Sequence, residues 1–491
     1  MTYLLALDQG TSSSRSILFD RLGNIVASAQ QEFPQYFPQA AWVEHQAHEI
    51  WQSQLNTLQQ VLQQSGVSAN QIAAIGITNQ RETCIVWNRK TGEPIYPAIV
   101  WQDRRTAAYC DELKQAGHSE LIQAKTGLVI DPYFSASKLR WILDHVPHAR
   151  QQAQQGLLAF GTVDSWLAYQ LSEKQLHVSD VTNASRTMLW NIHSNQWDQE
   201  LLSLFDIPKA ILPEVFPSSH RFGVCKLFGS PIPIASMVGD QQAALFGQAC
   251  FSSGMAKNTY GTGCFLLAHT GESCTQSQHG LISTSAAQVN QQTQFALEGS
   301  VFIGGAVVQW LRDQLHLIQH SSDIEALAAE VPDSDGVIFV PAFAGLGAPY
   351  WDPQAKGAIF GLHRGTTGAH IARAAIEAIA FQSAELLFAM QNDQQGKMKE
   401  LRVDGGASAN KALLQLQADL LGIPVVRPKI IETTALGAAY LAGICIGMYS
   451  NSEECSQLWQ EDCRFMPAIS PYQANSRLQA WKSAIQRLRS T

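Results

Sequence analysis

Asp8-Gln9-Gly10-Thr11-Ser12-Ser13-Ser14-Arg15 is the stretch that decides the fold, because it joins two short apolar runs with the pattern of β-strands. These runs are Tyr3–Leu7 and Arg15–Phe19, and a second turn leads into a third predicted strand, Ile25–Phe33. The sequence therefore predicts a meander whose first turn is rich in glycine and hydroxyl groups.

A turn of this composition can hold an anion. Its successive backbone N–H groups can form a nest, the hydroxyls add donors, and Arg15 adds a fixed positive charge. Asp8, at the strand end, could hold a hydrated Mg²⁺, because magnesium favours few carboxylates and several waters. A capped hairpin in which Asp8 only hydrogen-bonds the turn remains open from these residues alone.

The second half of the chain repeats this pattern about 250 residues later, where Gly261-Thr262-Gly263 precedes an apolar strand, Cys264–Ala268. Farther on, the sequence predicts a strand at Gly357–Phe360, a helix at Gly368–Gln391, and a strand at Leu401–Asp404. Alternating strands and helices indicate an α/β fold. We expect two duplicated domains, residues 1–249 and 250–491, although two unrelated hairpins remain an alternative.

Composition excludes several classes of function. The 491 residues include 33 Lys+Arg against 41 Asp+Glu, a formal net charge of −8, and no basic run suggests a nucleic-acid or anionic-membrane surface. Nine cysteines without a Cys-x-x-Cys pair indicate reduced thiols in the cytoplasm. The longest mostly apolar stretch, Leu436–Tyr449, is shorter than the ~18 residues of a membrane span.

The common nucleotide fingerprints are missing. The sequence contains no G-x-x-x-x-G-K-[ST], no G-x-G-x-x-G and no protein-kinase set. A P-loop, a Rossmann site and a protein kinase are therefore disfavoured.

Four short runs nevertheless resemble the phosphate and adenosine motifs of the actin, hexokinase and heat-shock-chaperone ATPase superfamily. They are Asp8–Thr11, Gly239–Gln242, Tyr260–Gly263 and Val403–Ser408. More narrowly, the chain resembles the FGGY carbohydrate kinases, whose longer signatures are similar to Pro349–Pro353 and Gly361–Thr367. The resemblance implies two duplicated ribonuclease-H-like, actin-like ATPase domains with a central cleft.

Within that family, five further runs are similar to those of the glycerol kinases. They are Thr78–Thr83, Val100–Arg105, Asp131–Lys138, Gly161–Leu167 and Asp180–Thr187, and the whole resemblance covers residues 3 to 446. It implies ATP-dependent phosphorylation of glycerol to sn-glycerol 3-phosphate, with Mg²⁺, by a cytoplasmic homo-oligomer, either dimer or tetramer. An FGGY kinase for another polyol or sugar, and a non-catalytic actin-like ATP-binding protein, are the alternatives.

The resemblance assigns the acceptor pocket to Arg81, Glu82, Trp101, Tyr133, Asp240, Gln241 and Phe265, and we choose Asp240, which follows an apolar-to-small run, as the general base. This set suits glycerol, which needs polar partners for three hydroxyls and an apolar wall for its C–H edge. Alternatives are that Arg81 and Glu82 form a surface ion pair, that Trp101 belongs to the core, and that Asp240 is the N-cap of a helix Gln241–Gly247.

The resemblance also assigns the nucleotide site. Asp8 would hold the metal, and the phosphates would be bound by Thr11, Ser12, Ser13, Arg15 and Thr262. The adenosine side would consist of Gly305, Gln309, Gly406 and Asn410. Glycines let the backbone approach a base closely, although Gly304-Gly305 could instead only permit close packing ahead of a predicted helix, Ala306–Leu315.

A departure from the glycerol kinases yields a prediction about regulation. Many bacterial members carry a glycine-rich basic loop that binds fructose 1,6-bisphosphate as an inhibitor, but the corresponding Phe222–Pro231 is shorter and holds only Lys226. We expect weak or absent inhibition, because one lysine without paired glycines makes a poor phosphate cradle. Steady-state assays with the sugar bisphosphate test this, and clear inhibition in the millimolar range would contradict it.

Overall fold

The computed structural model describes residues 2–352, 354–394, 396 and 398–489. Pro353, the last residue of the Pro349–Pro353 run, lies outside the described residues, as do residues 1, 490 and 491 at the ends of the predicted domains.

The first half contains the strands β1 (Tyr3–Gln9), β2 (Ser13–Phe19), β3 (Ile25–Glu32), β4 (Glu44–His45), β5 (Ile72–Asn79), β6 (Ile85–Asn88), β7 (Ala98–Ile99), β8 (Leu158–Gly161), β9 (Val178–Asp180), β10 (Trp190–Asn191), β11 (Gln196–Trp197), β12 (Glu214–Phe216), β13 (Ser219–Cys225) and β14 (Ile232–Gly239). Its helices are α1 (Ala47–Ser65), α2 (Ala107–Gln115), α3 (Ser119–Thr126), α4 (Ser135–His145), α5 (Ala149–Gln154), α6 (Val163–Leu171), α7 (Val181–Ala184), α8 (Gln199–Phe205) and α9 (Asp240–Gly247).

The second half contains the strands β15 (Ala256–Tyr260), β16 (Cys264–Gly271), β17 (Ile282–Ser285), β18 (Phe295–Val301), β19 (Ile338–Val340), β20 (Ala358–Phe360), β21 (Leu401–Asp404), β22 (Val425–Pro428) and β23 (Glu461–Phe465). Its helices are α10 (Ala306–Asp313), α11 (Ile324–Ala328), α12 (Gly368–Gln394), α13 (Lys411–Leu421), α14 (Thr433–Cys445), α15 (Ser452–Leu458) and α16 (Pro471–Arg489).

Each half is built on one large mixed sheet. The first sheet has the order β13-β14-β5-β1-β2-β3, and the second has the order β17-β18-β16-β15-β21-β22-β23. In the first, β1, β2 and β3 form an antiparallel meander, and β5 and β14 continue from β1 in parallel. In the second, β15, β16 and β18 form the equivalent antiparallel set, with β17 added at the edge beside β18, and β21 and β22 continue from β15 in parallel. The predicted duplication of an α/β fold is therefore confirmed.

Element boundaries differ slightly from the predictions. Asp8 and Gln9 pair with Arg15 and Ser14 in the β1–β2 ladder, so the turn itself is only Gly10–Ser12, called here the first glycine turn. The helix predicted to end at Leu315 ends at Asp313, and the one predicted to end at Gln391 continues to Gln394. The predicted boundary at residues 249 and 250 lies between α9 and β15, and the division into two domains there stays a prediction.

Helices α9 and α14 touch backbone to backbone. A Cβ added at Gly437 of α14 would lie 1.9 Å from the carbonyl oxygen of Ala243, and one added at Gly247 of α9 would lie 2.0 Å from that of Thr433. These two pairings run in opposite directions along the chain, so the helices cross antiparallel. Only glycine at both positions allows this approach.

Through this crossing the two halves share a core. Helix α14 follows the second sheet in the chain, yet its residues Ala438 and Leu441 are buried in one cluster with Leu4, Ala6 and Ala74 of the first sheet.

No helix among the residues that the structure describes is long and apolar enough to cross a membrane.

The crossing predicts a stability effect. Gly437→Ala should lower the free energy of unfolding by about 1–3 kcal/mol or more, because its methyl group would overlap a backbone oxygen that cannot move without its helix. Urea unfolding followed by tryptophan fluorescence measures this. In the control Gly368→Ala the new methyl group lies 3.4 Å from its nearest neighbour, an ordinary contact, so little loss is expected. Equal stability of both variants and the parent would contradict the prediction.

Candidate active site

The ends of two parallel strands bring the predicted acceptor residues together. Gly239 at the end of β14 is paired with Asn79 at the end of β5, so the residues that follow the two strands lie side by side. Arg81 follows β5 and Asp240 follows β14, and the Arg81 Nε atom lies 3.2 Å from Asp240 Oδ1. Carboxyl ends of neighbouring parallel strands are the usual place for a ligand site in α/β folds.

Tyr133 and two other aromatic residues form one wall beside this pair. The ring of Trp101 makes edge contacts with Tyr133 at 5.5 Å and with Phe265 at 6.2 Å between centroids. Tyr133 Oη lies 3.5 Å from Arg81 Nη2, and the Trp101 Nε1–H donates to Thr11 Oγ1 at 2.9 Å. The wall therefore joins the first glycine turn to the charged pair. We call Arg81, Glu82, Trp101, Tyr133, Asp240, Gln241 and Phe265 the acceptor cluster.

Two alternatives from the sequence prove wrong, and a third holds in part. Arg81 and Glu82 are 2% and 1% exposed, so they are not a surface ion pair, whereas Trp101 is partly buried and packs against a core cluster. The N-cap of α9 is Gly239, and Asp240 is its first helical residue.

Glu82 also has a φ of 57°, a left-handed conformation that non-glycine residues rarely adopt outside constrained sites.

Sequence reasoning missed three buried charged residues that contact the acceptor cluster. Arg186 donates to Glu82 Oε1 at 2.6 Å, and Glu298 on β18 accepts from both Arg81 and Arg186. Lys257 on β15 donates to Gln241 Oε1 at 2.6 Å. Glu298 and Lys257 were detectable as lone charges within otherwise apolar or uncharged strands, since charged side chains are rarely fully buried unless paired.

Burial dominates the electrostatics of the site. It raises the pKa of Asp240, and the Arg81 guanidinium opposes this shift. It also lowers the pKa of Lys257 to about 8. Glu298 differs from these two groups: burial alone would raise its pKa, but Arg186 and Arg81 hold it at about 2. Asp240 is thus a stronger base than an ordinary aspartate.

The first glycine turn closes the hairpin of β1 and β2, and the arginine of this hairpin is ion-paired. The Gly10 N–H donates to the Ser13 carbonyl at 2.9 Å, and Ser13 Oγ accepts from Gln30 at 3.0 Å. Arg15, predicted to contact phosphate, forms an ion pair with Glu432, the N-cap of α14. The arginine charge is therefore shared with a carboxylate that the sequence prediction did not include.

The second glycine turn, Gly261–Gly263, packs directly on Gly304-Gly305. The Gly305 N–H donates to the Gly261 carbonyl at 2.9 Å, and a Cβ at Gly305 would lie 2.7 Å from that oxygen. These glycines therefore permit close packing, as the alternative expected, but Gly305 also lines a cavity, so its predicted contact with a nucleotide stays a prediction.

That cavity has a volume of about 530 Å³ and brings together residues predicted for adenosine. Its lining includes Thr262, Gly305, Gln309, Gly406 and Asn410. A Cβ at Gly406 would meet nothing within 4 Å, so this backbone borders open space. One atom of the Asn410 side chain is already hydrogen-bonded, because its Oδ1 accepts from the Leu413 N–H and caps α13. Its amide N–H₂ remains for a ligand. The cavity suits a nucleoside held by backbone and amide groups.

A second cavity of about 650 Å³ opens beside the aromatic wall. Trp101, Tyr133 and Thr262 line it together with Phe302 and Trp351. Because Thr262 lines both cavities, the two adjoin there: the second lies between the halves, and the first is lined by residues of the second half alone.

A metal ion would need ligands from outside the protein. Within the described ranges, no group of three or more His, Cys, Asp or Glu side chains is placed to hold one. Asp8 is partly buried beside Arg15, and burial raises its pKa to about 7. One such carboxylate still fits Mg²⁺, which takes few protein ligands and completes its shell with phosphate oxygens and water.

Known proteins resemble the whole chain. Profiles described as the N-terminal and C-terminal domains of the FGGY family of carbohydrate kinases match residues 3–247 and 256–446. The glycerol kinase of Ralstonia nicotianae is 62% identical over 491 residues, which cover 100% of this chain and 99% of that protein.

Two solved structures extend this comparison. A crystal structure of Plasmodium falciparum glycerol kinase with ADP is 35% identical with a TM-score of 0.92, covering 99% of this chain and 98% of that one. A ligand-bound xylulose kinase from Lactobacillus acidophilus is 24% identical with a TM-score of 0.88, covering 100% and 98%, and shares the fold.

The raised pKa of Asp8 predicts a stability change. The folded-state pKa of about 7 exceeds the ordinary 3.8, so the folded protein binds this proton more tightly and stability falls as pH rises from about 4 through about 7. Asp8→Asn removes the ionised form, so its Tm in EDTA should exceed that of the parent by about 2 °C at pH 8, with the gain shrinking below pH 7 and vanishing towards pH 4. Asp111→Asn on exposed α2 controls for net charge. A gain that is the same at every pH would contradict the prediction.

Proposed function

The chain belongs to the FGGY family of carbohydrate kinases, and we propose that it transfers a phosphoryl group from ATP to a terminal hydroxyl of glycerol, giving sn-glycerol 3-phosphate. The observation that carries this is the likeness to glycerol kinases over the full length, 62% identical to that of Ralstonia nicotianae. The acceptor cluster supplies chemistry that suits this substrate.

Glycerol is neutral, small and bears three hydroxyls, so its site must combine several fixed polar groups with one apolar face. Arg81 and Gln241 offer donors, Glu82 and Asp240 offer acceptors, and the aromatic wall packs against the C–H edge. Most of these polar groups are buried, so an acceptor that lacks a hydroxyl would leave one of them unpaired. Such a site rejects deoxy analogues strongly.

Asp240 is the proposed general base. Its carboxylate lies at the start of α9, partly exposed with a side-chain exposure of 28%, and next to Arg81. Burial raises its pKa, which makes it a better proton acceptor, while the nearby arginine favours the ionised form that can act as a base. It can orient the attacking hydroxyl and take its proton late in the transfer.

ATP would bind along the two glycine turns. We propose that Thr11, Ser12, Ser13, Arg15 and Thr262 contact its phosphates and that Gly305, Gln309, Gly406 and Asn410 hold adenosine. Mg²⁺ at Asp8 would neutralise developing phosphate charge when bound. The chain itself contributes alignment: the Trp101–Thr11 hydrogen bond ties the acceptor wall to the phosphate side.

We also propose that the protein works in the cytoplasm as a homo-oligomer. All nine cysteines are free and six of them are buried, which suits a reducing compartment. Light scattering of the purified chain measures its mass, and a monomer would contradict the oligomer.

The function is tested by ADP release in a coupled assay across a panel of polyols and ketoses. Glycerol should stimulate ADP release more than any other acceptor. Activity with pentuloses only would show a different FGGY kinase, and ATP binding without acceptor-dependent ADP release would show a non-catalytic protein.

Asp240→Asn should lower kcat by at least ~10² while glycerol binding survives in part, because the amide keeps a hydrogen bond but cannot accept the proton. Steady-state kinetics measure kcat, and calorimetry measures glycerol binding. Asp111→Asn serves as the control for net charge and should remain fully active. Near-normal turnover of Asp240→Asn would rule out the base role.

A further inference from the structure

Glu298 is a buried carboxylate in the second sheet that binds two arginines from the first half. Its side chain has no solvent exposure, and it lies on β18 among apolar neighbours such as Leu297. Oε2 accepts from Arg81 Nη1 at 2.5 Å, and Oε1 accepts from Arg81 Nη2 and Arg186 Nη2, both at 2.9 Å. We call Arg81, Arg186, Glu82 and Glu298 the bridging network.

The fork between Arg81 and Glu298 fixes the rotation of the guanidinium plane. Two parallel hydrogen bonds to one carboxylate set both position and orientation, which a single contact cannot do. With its Nη edge turned towards Glu298, Arg81 presents Nε to Asp240 at 3.2 Å. Its Nη2 lies 3.5 Å from Tyr133 Oη.

Besides Glu298, the Arg186 guanidinium hydrogen-bonds one other carboxylate, that of Glu82. Its Nε donates to Glu82 and its Nη2 to Glu298, while Nη1 has no hydrogen-bond partner among the described residues. Without Glu298, two buried guanidinium groups would compete for Glu82 and Asp240. Arg81 would then be drawn out of its present orientation towards the remaining carboxylates.

We propose that Glu298 is a positioning residue of the acceptor site. Supplied by the second half, it holds Arg81 in the orientation that faces glycerol and Asp240, so the site is complete only when the second sheet is in place. This role rests on the proposed function. Glu298 touches neither substrate nor reacting atoms and acts through Arg81.

Glu298→Gln tests this role, because glutamine keeps the shape of the side chain and one acceptor oxygen but loses the charge and the fork. We expect glycerol KM to rise at least ~10-fold and kcat to fall at least ~10-fold, with ATP KM changed less than ~3-fold. Steady-state kinetics with each substrate varied in turn measure this. A glycerol KM within twofold of the parent, or an equal rise in both KM values, would overturn the role.

Glu377→Gln is the matched control. Glu377 is likewise buried and accepts from two arginines, Arg373 at 3.2 Å and Arg477 at 2.6 Å, but these lie outside the acceptor cluster. It should lose stability like Glu298→Gln while its glycerol KM stays within about twofold of the parent. If it raises glycerol KM as much as Glu298→Gln does, loss of any buried ion pair is sufficient and the proposal fails.

A double-mutant cycle with Arg81→Gln shows whether Glu298 acts through Arg81. In that background Glu298→Gln should change glycerol kcat/KM by less than ~3-fold, because the group it orients is gone. Independent, multiplicative effects would overturn the assignment. If Glu298→Gln does not fold, Glu298→Asp keeps the charge but is one methylene too short for the fork, and a parent-like glycerol KM would again contradict the role.

The activity of the parent protein distinguishes a failure of this inference from a failure of the proposed function. If the parent shows no glycerol-dependent ADP release, the function itself is wrong. If the parent is active and Glu298→Gln keeps its glycerol KM, only the positioning role fails.

Discussion

The backbone contact between α9 and α14 is the constraint on which the rest of the molecule depends. No side chain separates the helices at Gly247 and Gly437, so their spacing cannot vary without breaking the shared core. Helix α9 begins with Asp240, and α14 begins beside Glu432, the partner of Arg15. The crossing therefore sets where two acidic groups stand relative to the first glycine turn.

Asp404 connects this crossing to the second sheet by hydrogen bonds. It ends β21 and accepts, through Oδ2, from Gln248 after α9 and from Thr433 at the start of α14, both at 2.7 Å. Gly406 follows two residues later and borders the cavity that suits a nucleoside. Asp404 thus links both helices of the crossing to the edge of that cavity.

The protein has few charged residues, and several of them are buried in and around the acceptor cluster. Only 15% of residues are charged, and the net charge of −8 gives no broad attraction for a polyanion such as ATP. Charge is instead local around the acceptor cluster: Arg81, Arg186, Lys257 and Glu298 are all buried there, and burial shifts the pKa values of Asp240 and Lys257. Because buried charges interact strongly, a few residues of the bridging network and the acceptor cluster have large effects on the site.

The sequence alone determined the local features: the meanders around two Gly-Thr turns, the alternation of strands and helices, and the motifs that mark the kinase family. These depend on neighbours a few residues apart, through strand alternation, helix periodicity and turn chemistry. Only the tertiary structure decided that Arg81 meets Glu298, 217 residues away, that Arg15 meets Glu432, and that Gly247 and Gly437 touch. Such contacts depend on how two sheets and their helices pack in space, and a lone acid in an apolar strand indicates that a partner exists without naming it.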